Sequence, residues 1–128
     1  MDPISNMIVQ IKNAGFSGHE SIFVPFSKMK AGIAELLKKE GFVSRVESMS
    51  RKGKPALKIN LIFNKRIPRV QGVKRLSKPS KRIYKKHTEI RPVKNGYGLL
   101  VISTSSGIMS GYEAKKAHLG GEVLFTIW

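Results

Sequence analysis

The chain contains no cysteine, which excludes disulfides, thiolate metal ligands and thiol nucleophiles together. Its three histidines, His19, His87 and His118, are too scattered to suggest a zinc site, so no metal and no cofactor are expected. No apolar run approaches the roughly 18 residues of a membrane span. The opening "MDPISNM" carries an acid at position 2 and neither a basic nor a long apolar stretch, unlike a secretory or transit peptide. A soluble intracellular protein without a membrane partner is the expectation. Acidic residues are scarce too, with 8 Asp and Glu against 24 Lys and Arg in 128 residues, a net +16. A chain of this length buries about two thirds of its unfolded surface and can fold without covalent staples.

The positive charge is concentrated. Residues 51–94 hold sixteen Lys and Arg against the single Glu89, a net +15, while the other 84 residues carry eight bases and seven acids. So much like charge in one third of the chain opposes folding by self-repulsion unless a polyanion neutralises it. A nucleic acid is the natural counter-charge. An anionic membrane surface fits less well, because Pro68, Pro79 and Pro92 interrupt the segment and prevent a long amphipathic helix.

The hydrophobic pattern predicts an α+β fold of two small lobes. Asp2-Pro3 starts a helix in which Ile4, Met7, Ile8 and Ile11 share a face, stopped at Gly15. A short strand over 20–24 follows, then a helix capped by Ser27, with Met29, Ile33, Leu36 and Leu37 on one face and Gly41 at its end. "FVSRVES" and "ALKINLIF" read as strands joined by "SRKGKP". In the second, Leu57, Ile59, Leu61 and Phe63 alternate with Lys58 and Asn60. This α-β-α-β-β lobe spans 1–64, and a β-rich lobe with one short helix spans 65–128. Within the latter, 65–81 reads as a partly extended connection, "RIYKKHTEI" and "YGLLVIST" as strands, and "SGYEAKKAHLGG" as a helix with a Ser110–Glu113 capping box. "EVLFTIW" reads as a closing strand.

The hydroxyl-rich stretch "STSSGIMS", residues 103–110, admits several readings. A serine nucleophile requires a G-x-S-x-G elbow between strand and helix. No glycine stands two before Ser105, and only His118 and His87 are nearby candidates for a base. "SKMK" at 27–30 matches S-x-x-K without its companion motifs, and no phosphate-binding G-x-x-x-x-G-K-[ST] exists. No catalytic residue is therefore assigned. Ser106 and Ser110 fit a turn and a helix cap. Ser103, Thr104 and Ser105 fit better as RNA readers, because short hydroxyl side chains can approach the shallow minor groove with its 2′-hydroxyls and base edges. Glu122 reads either as an acceptor for those hydroxyls or as an ordinary exposed acid. Tyr84, between basic neighbours, reads either as a stacking platform for a base or as core.

Five ordered segments, "DPISNMIVQIKNAG", "VPFSKMKAGIAELLKKEGF", "VKRLSKPSKRIY", "STSSGIMS" and "GGEVLFTIW", make the chain resemble the bacterial-type small-subunit ribosomal protein number eight over essentially its whole length. That resemblance implies a two-lobed fold and a primary binder of the central domain of small-subunit ribosomal RNA, gripping an irregular helix during assembly. It implies RNA contacts at Ser103, Thr104, Ser105, Gly107 and Tyr84, with Lys74, Arg75, Lys78, Lys81 and Arg82 around them. It further implies contacts from Ser27, Lys28 and Lys30 in the first lobe, and Glu122 and Gly121 as supports of the turn. The partners implied are this RNA, neighbouring small-subunit proteins including number five and, in some bacterial members, their own messenger, which they repress. The setting implied is the cytoplasmic ribosome, or an organellar one. Departures from the usual pattern are Ser106 where lysine is common, Gln10 where arginine is common, and the "SGYEAKK" start of the last helix.

Overall fold

The computed structural model describes residues 2–128, and all their side chains but that of Asn95. Contacts divide the chain into two units, Pro3–Gln71 and Gly72–Trp128, with Asp2 grouped in the second. The boundary falls seven residues later than the composition suggested. The reason is a small hairpin, Phe63–Asn64 with Ile67–Pro68, whose Pro68 packs on Gly15 of the first helix.

The first unit contains α1 (Pro3–Phe16), β1 (Ser21–Pro25), α2 (Lys28–Lys39), β2 (Val43–Arg51), β3 (Lys54–Leu61) and the hairpin strands β4 (Phe63–Asn64) and β5 (Ile67–Pro68). The strands β1, β3 and β2 form an antiparallel sheet in that order, and Ile4, Met7, Ile8, Ile11, Ile33, Leu36 and Leu37 are buried. Each such side chain removed from water contributes about 1.5–3 kcal/mol. Gly15 is not the helix stop. It lies inside α1, where an added Cβ would stand 2.9 Å from Pro68 Cβ. Gly18 closes the helix instead, with φ 78 and the paired bonds of His19 N–H to Ala14 O and Gly18 N–H to Gly15 O, a Schellman end.

Two further expectations in this unit need correction. Met29 is 41% exposed: it sits in the first turn of α2, and Ala34 takes the buried position beside Ile33. The strand expected to run through Phe63 ends at Leu61, because the chain turns there into the β4–β5 hairpin.

The second unit contains β6 (Val73–Arg75), β7 (Tyr84–Lys85), 3-10 turns at His87–Glu89 and Lys94–Gly96, β8 (Leu99–Thr104), β9 (Gly107–Ser110), α3 (Gly111–Lys116) and β10 (Gly121–Ile127). The sheet runs β6-β10-β8-β9, and β7 shares with β6 one edge of β10. Ile90, Leu100, Ile102, Ala114 and Val123 form a buried cluster. The strand expected over 82–90 is only two residues long. Glu89 accepts a hydrogen bond from Lys86 N (2.8 Å) and winds 87–89 into a 3-10 turn. Between the turn after Thr104 and α3 lies β9, which pairs with β8.

Candidate nucleic-acid interface

Antiparallel partners project from the same face of a sheet. The register places Glu122 of β10 opposite Tyr84 of β7 on one side and opposite Ser103 of β8 on the other, and Ser103 opposite Ile108 of β9. Tyr84, Glu122 and Ser103 thus form a row across three adjacent strands, which brings together residues 38 positions apart in sequence. Tyr84 is 66% exposed, so it is not core. Gly121 lets the row close up: a Cβ there would stand 2.1 Å from Ser103 O.

At the end of β8 the chain reverses over Ser105 and Ser106, both exposed. The Thr104 hydroxyl builds this reversal, accepting from Ser106 N–H (3.1 Å) and donating to Gly107 O (2.9 Å). Gly107 follows at φ 109. The turn role expected of Ser106 thus falls to the Thr104 hydroxyl, while the cap expected of Ser110 is present. Thr104 shapes the turn, Ser110 caps α3 by accepting from Glu113 N–H (3.1 Å), and Ser105 stands at the exposed tip. The histidines weighed as catalytic bases face each other, His87 to His118 at 5.0 Å edge to face, and no hydrogen bond joins Ser105 to either among the described residues.

Among the described residues, no hydrogen bond joins Glu122 to the hydroxyls of 103–105. Its carboxylate accepts from Ser77 Oγ and from Arg82 Nη1 (3.2 Å). Ser77, fully buried, also accepts Ile83 N–H at 3.1 Å. These bonds close the neck of a loop that leaves the edge of β10 after Ser77 and returns to it at Ile83, where Val123 N–H donates to Ile83 O. Within the loop Lys78 and Lys81 exchange backbone hydrogen bonds, 3.0 Å each way. Lys78, Lys81 and Arg82 are exposed on it. Sequence reasoning missed Ser77, because one serine among many carries no signal until the fold sets it against a carboxylate.

The basic residues sort by exposure. Lys74 is exposed. Arg75 is not available as expected: its Nε donates to Asp2 Oδ2 at 2.6 Å, with both side chains largely buried, and its Nη1 donates to Leu124 O. Lys85 and Lys86, which the sequence reading left out of the site, are exposed beside Tyr84 and line with it, His87, Thr88 and Gly120 a cleft of about 570 Å³. Their position flanking an aromatic within the basic stretch was the available signal. In the first unit Ser27 caps α2 by accepting from Lys30 N–H (3.1 Å). Lys28 is exposed, and Lys30 Nζ donates to Pro25 O (3.2 Å). The first unit's residues are thus a cap, an exposed cation and a partly engaged one.

A hydroxyl-tipped reversal, an exposed tyrosine and a fringe of lysines on one β-rich unit have the construction of a nucleic-acid-binding protein. Comparison with known proteins narrows this. The chain belongs to the ribosomal protein S8 family, which residues 2–128 match. It is 48% identical over 128 residues to the small ribosomal subunit protein uS8 of Caldanaerobacter subterraneus subsp. tengcongensis, covering 99% of this chain and 97% of that one. The protein of the same description from Staphylococcus carnosus is 42% identical over 128 residues, covering 99% and 97%, and that from Nitratidesulfovibrio vulgaris 41% over 127, covering 99% and 98%.

Proposed function

We propose that this chain is a primary binder of the central domain of small-subunit ribosomal RNA, holding one irregular helix through the turn at 103–107. Membership of the family makes it a non-enzymatic structural constituent of the small ribosomal subunit and an RNA-binding protein. No helix among the described residues is long and apolar enough to cross a membrane. The finer reading concerns what the RNA meets. The observation that carries it is the row of Tyr84, Glu122 and Ser103 beside the exposed Ser105 tip. A base or sugar set against this row would find an aromatic face to stack on and short hydroxyls for its edges.

Lys78, Lys81, Lys85 and Lys86, all exposed, flank Tyr84 and Glu122 as phosphate ligands, with Arg82 shared between Glu122 and RNA, and Lys74, exposed farther along β10 opposite Thr126, is a further phosphate ligand. The first unit would add Lys28 and the N-terminus of α2, where free N–H groups favour phosphate. Gly107 allows the close backbone approach that a side chain there would obstruct. The partners in this reading are the ribosomal RNA, neighbouring small-subunit proteins including number five, and its own messenger where that RNA copies the ribosomal site. The setting is the ribosome in the cytoplasm.

The test is a salt-titrated competition between a central-domain RNA fragment and an unrelated duplex of equal length. Specific recognition predicts a preference of about a thousandfold or more, the lower end of the range seen for DNA-binding proteins. Replacing Ser105 by alanine is expected to reduce that preference while leaving the salt slope in place, since the slope counts phosphates. Equal binding of both RNAs would reduce the protein to a sequence-indifferent binder.

A further inference from the structure

The turn between β4 and β5 has an unusual backbone for its residues. Its two central residues, Lys65 and Arg66, both lie in the left-handed region, at φ 51 and φ 70. Two-residue hairpin turns of this kind are normally built from Asn-Gly or Asp-Gly, because in the left-handed region a Cβ crowds the following carbonyl oxygen, a cost that Gly escapes and Asn and Asp bear best. The β2–β3 hairpin of the same unit meets that rule at its second position only, with Lys52 at φ 53 and Gly53 at φ 77. The β4–β5 turn instead keeps two long cations where a glycine would relax the chain. Residues held in such conformations cluster at functional positions.

The tip is also presented in a particular way. Asn64, Lys65 and Arg66 are exposed, and Ile67 is 61% exposed. Neither the Lys65 ammonium nor the Arg66 guanidinium makes an ion pair or a side-chain hydrogen bond among the described residues. The base of the hairpin, in contrast, is fixed. Phe63 pairs with Pro68, Arg69 N–H donates to Ile62 O at 2.8 Å, the Arg69 guanidinium lies 4.0 Å from the centre of the Phe42 ring, and Pro68 is seated on Gly15. On a fixed stem, anion binding has to order only the two side chains and not the hairpin backbone.

We infer that the hairpin tip at 64–67 is a dedicated contact to the phosphate backbone of the bound RNA, separate from the hydroxyl turn of the second unit. The inference rests on the RNA-binding reading above. An RNA backbone is favoured over an acidic protein neighbour because the tip offers both cations with no apolar anchor besides Ile67. Phosphates are the regularly spaced anions that such a pair fits.

The test replaces Lys65 and Arg66 together, K65N/R66G, which installs the turn's usual residues and removes both charges. A matched control, K52N/K54Q, removes two charges from the tip of the β2–β3 hairpin. Each is titrated with salt against the central-domain fragment and the unrelated duplex, and thermal unfolding is followed in parallel. The expected result for K65N/R66G is a Tm raised by several degrees, affinity for the fragment lowered tenfold or more, and a logarithmic salt slope smaller by about 1 to 2. The control should lose less than threefold. Undiminished affinity with a raised Tm overturns the inference and leaves an acidic protein as the tip's partner. Equal losses in both variants reduce the tip to bulk charge, and a Tm that does not rise removes the strain argument; either result overturns it. Failure of the RNA-binding reading itself would show differently, as a wild-type protein with no preference for the ribosomal fragment.

Discussion

Replacing Ser77 by alanine removes one oxygen from a site with no solvent access, and that oxygen serves two groups. It donates to the Glu122 carboxylate and accepts Ile83 N–H at 3.1 Å. A bond to a charged group contributes about 1.5–3 kcal/mol, and a buried N–H left without its partner costs about 1–3 kcal/mol. The two losses overlap, because Glu122 keeps Arg82 at 3.2 Å. A total of about 2–4 kcal/mol is expected. The single tryptophan, Trp128, lies in the second unit with its ring against Gly72, so its fluorescence reports unfolding of that unit. With a urea m-value of about 2 kcal/mol/M, the midpoint should fall by about 1–2 M. A double-mutant cycle with Glu122→Gln should show a coupling of about 1–2 kcal/mol, since the residues share one hydrogen bond. A Ser77→Ala midpoint within about 0.2 M of wild type, or substitutions that simply add, would refute the claim that this bond closes the loop neck.

Lys74 and Arg75 are adjacent in sequence but should separate in experiment. Lys74→Gln should leave stability unchanged and lower the salt slope of RNA binding by about 0.9. Arg75→Gln should leave the slope unchanged and cost about 2 kcal/mol, because its guanidinium is spent on Asp2 and Leu124 O; salt titration and urea unfolding of the two variants decide between these outcomes. Gly121→Ala would drive a Cβ to 2.1 Å from Ser103 O, which only a backbone shift can relieve. A loss of about 3 kcal/mol is expected, with β8–β10 amide protection falling first around Ser103 in hydrogen exchange, and an unperturbed Tm would contradict the close approach.

Much of this protein is decided locally and so stands in its sequence. Apolar residues at helical spacing define α1 and α2 because one face of each must leave water. Ser27 and Ser110 announce caps because a short hydroxyl is what satisfies the first free N–H groups of a helix. The charge of residues 51–94 identifies a polyanion partner, since no folded arrangement of those side chains could neutralise itself. The ordered motifs then carry the family resemblance.

The tertiary structure decided which of these residues are free. Arg75 and Lys74 look alike in sequence, and only the fold spends one on an ion pair while leaving the other in solvent. Gly15 reads as a stop until Pro68, fifty-three residues later, is seen to occupy the space of its missing side chain. Thr104 and Ser105 are neighbouring hydroxyls, but the backbone reversal engages one in building the turn and leaves the other at the tip. Ser77 and Glu122 become partners only because β10 brings them together. Hydrogen bonds and ion pairs between distant residues depend on ångström-scale positions set by packing of the whole unit, whereas helix faces, caps and net charge depend on residues already adjacent in the chain.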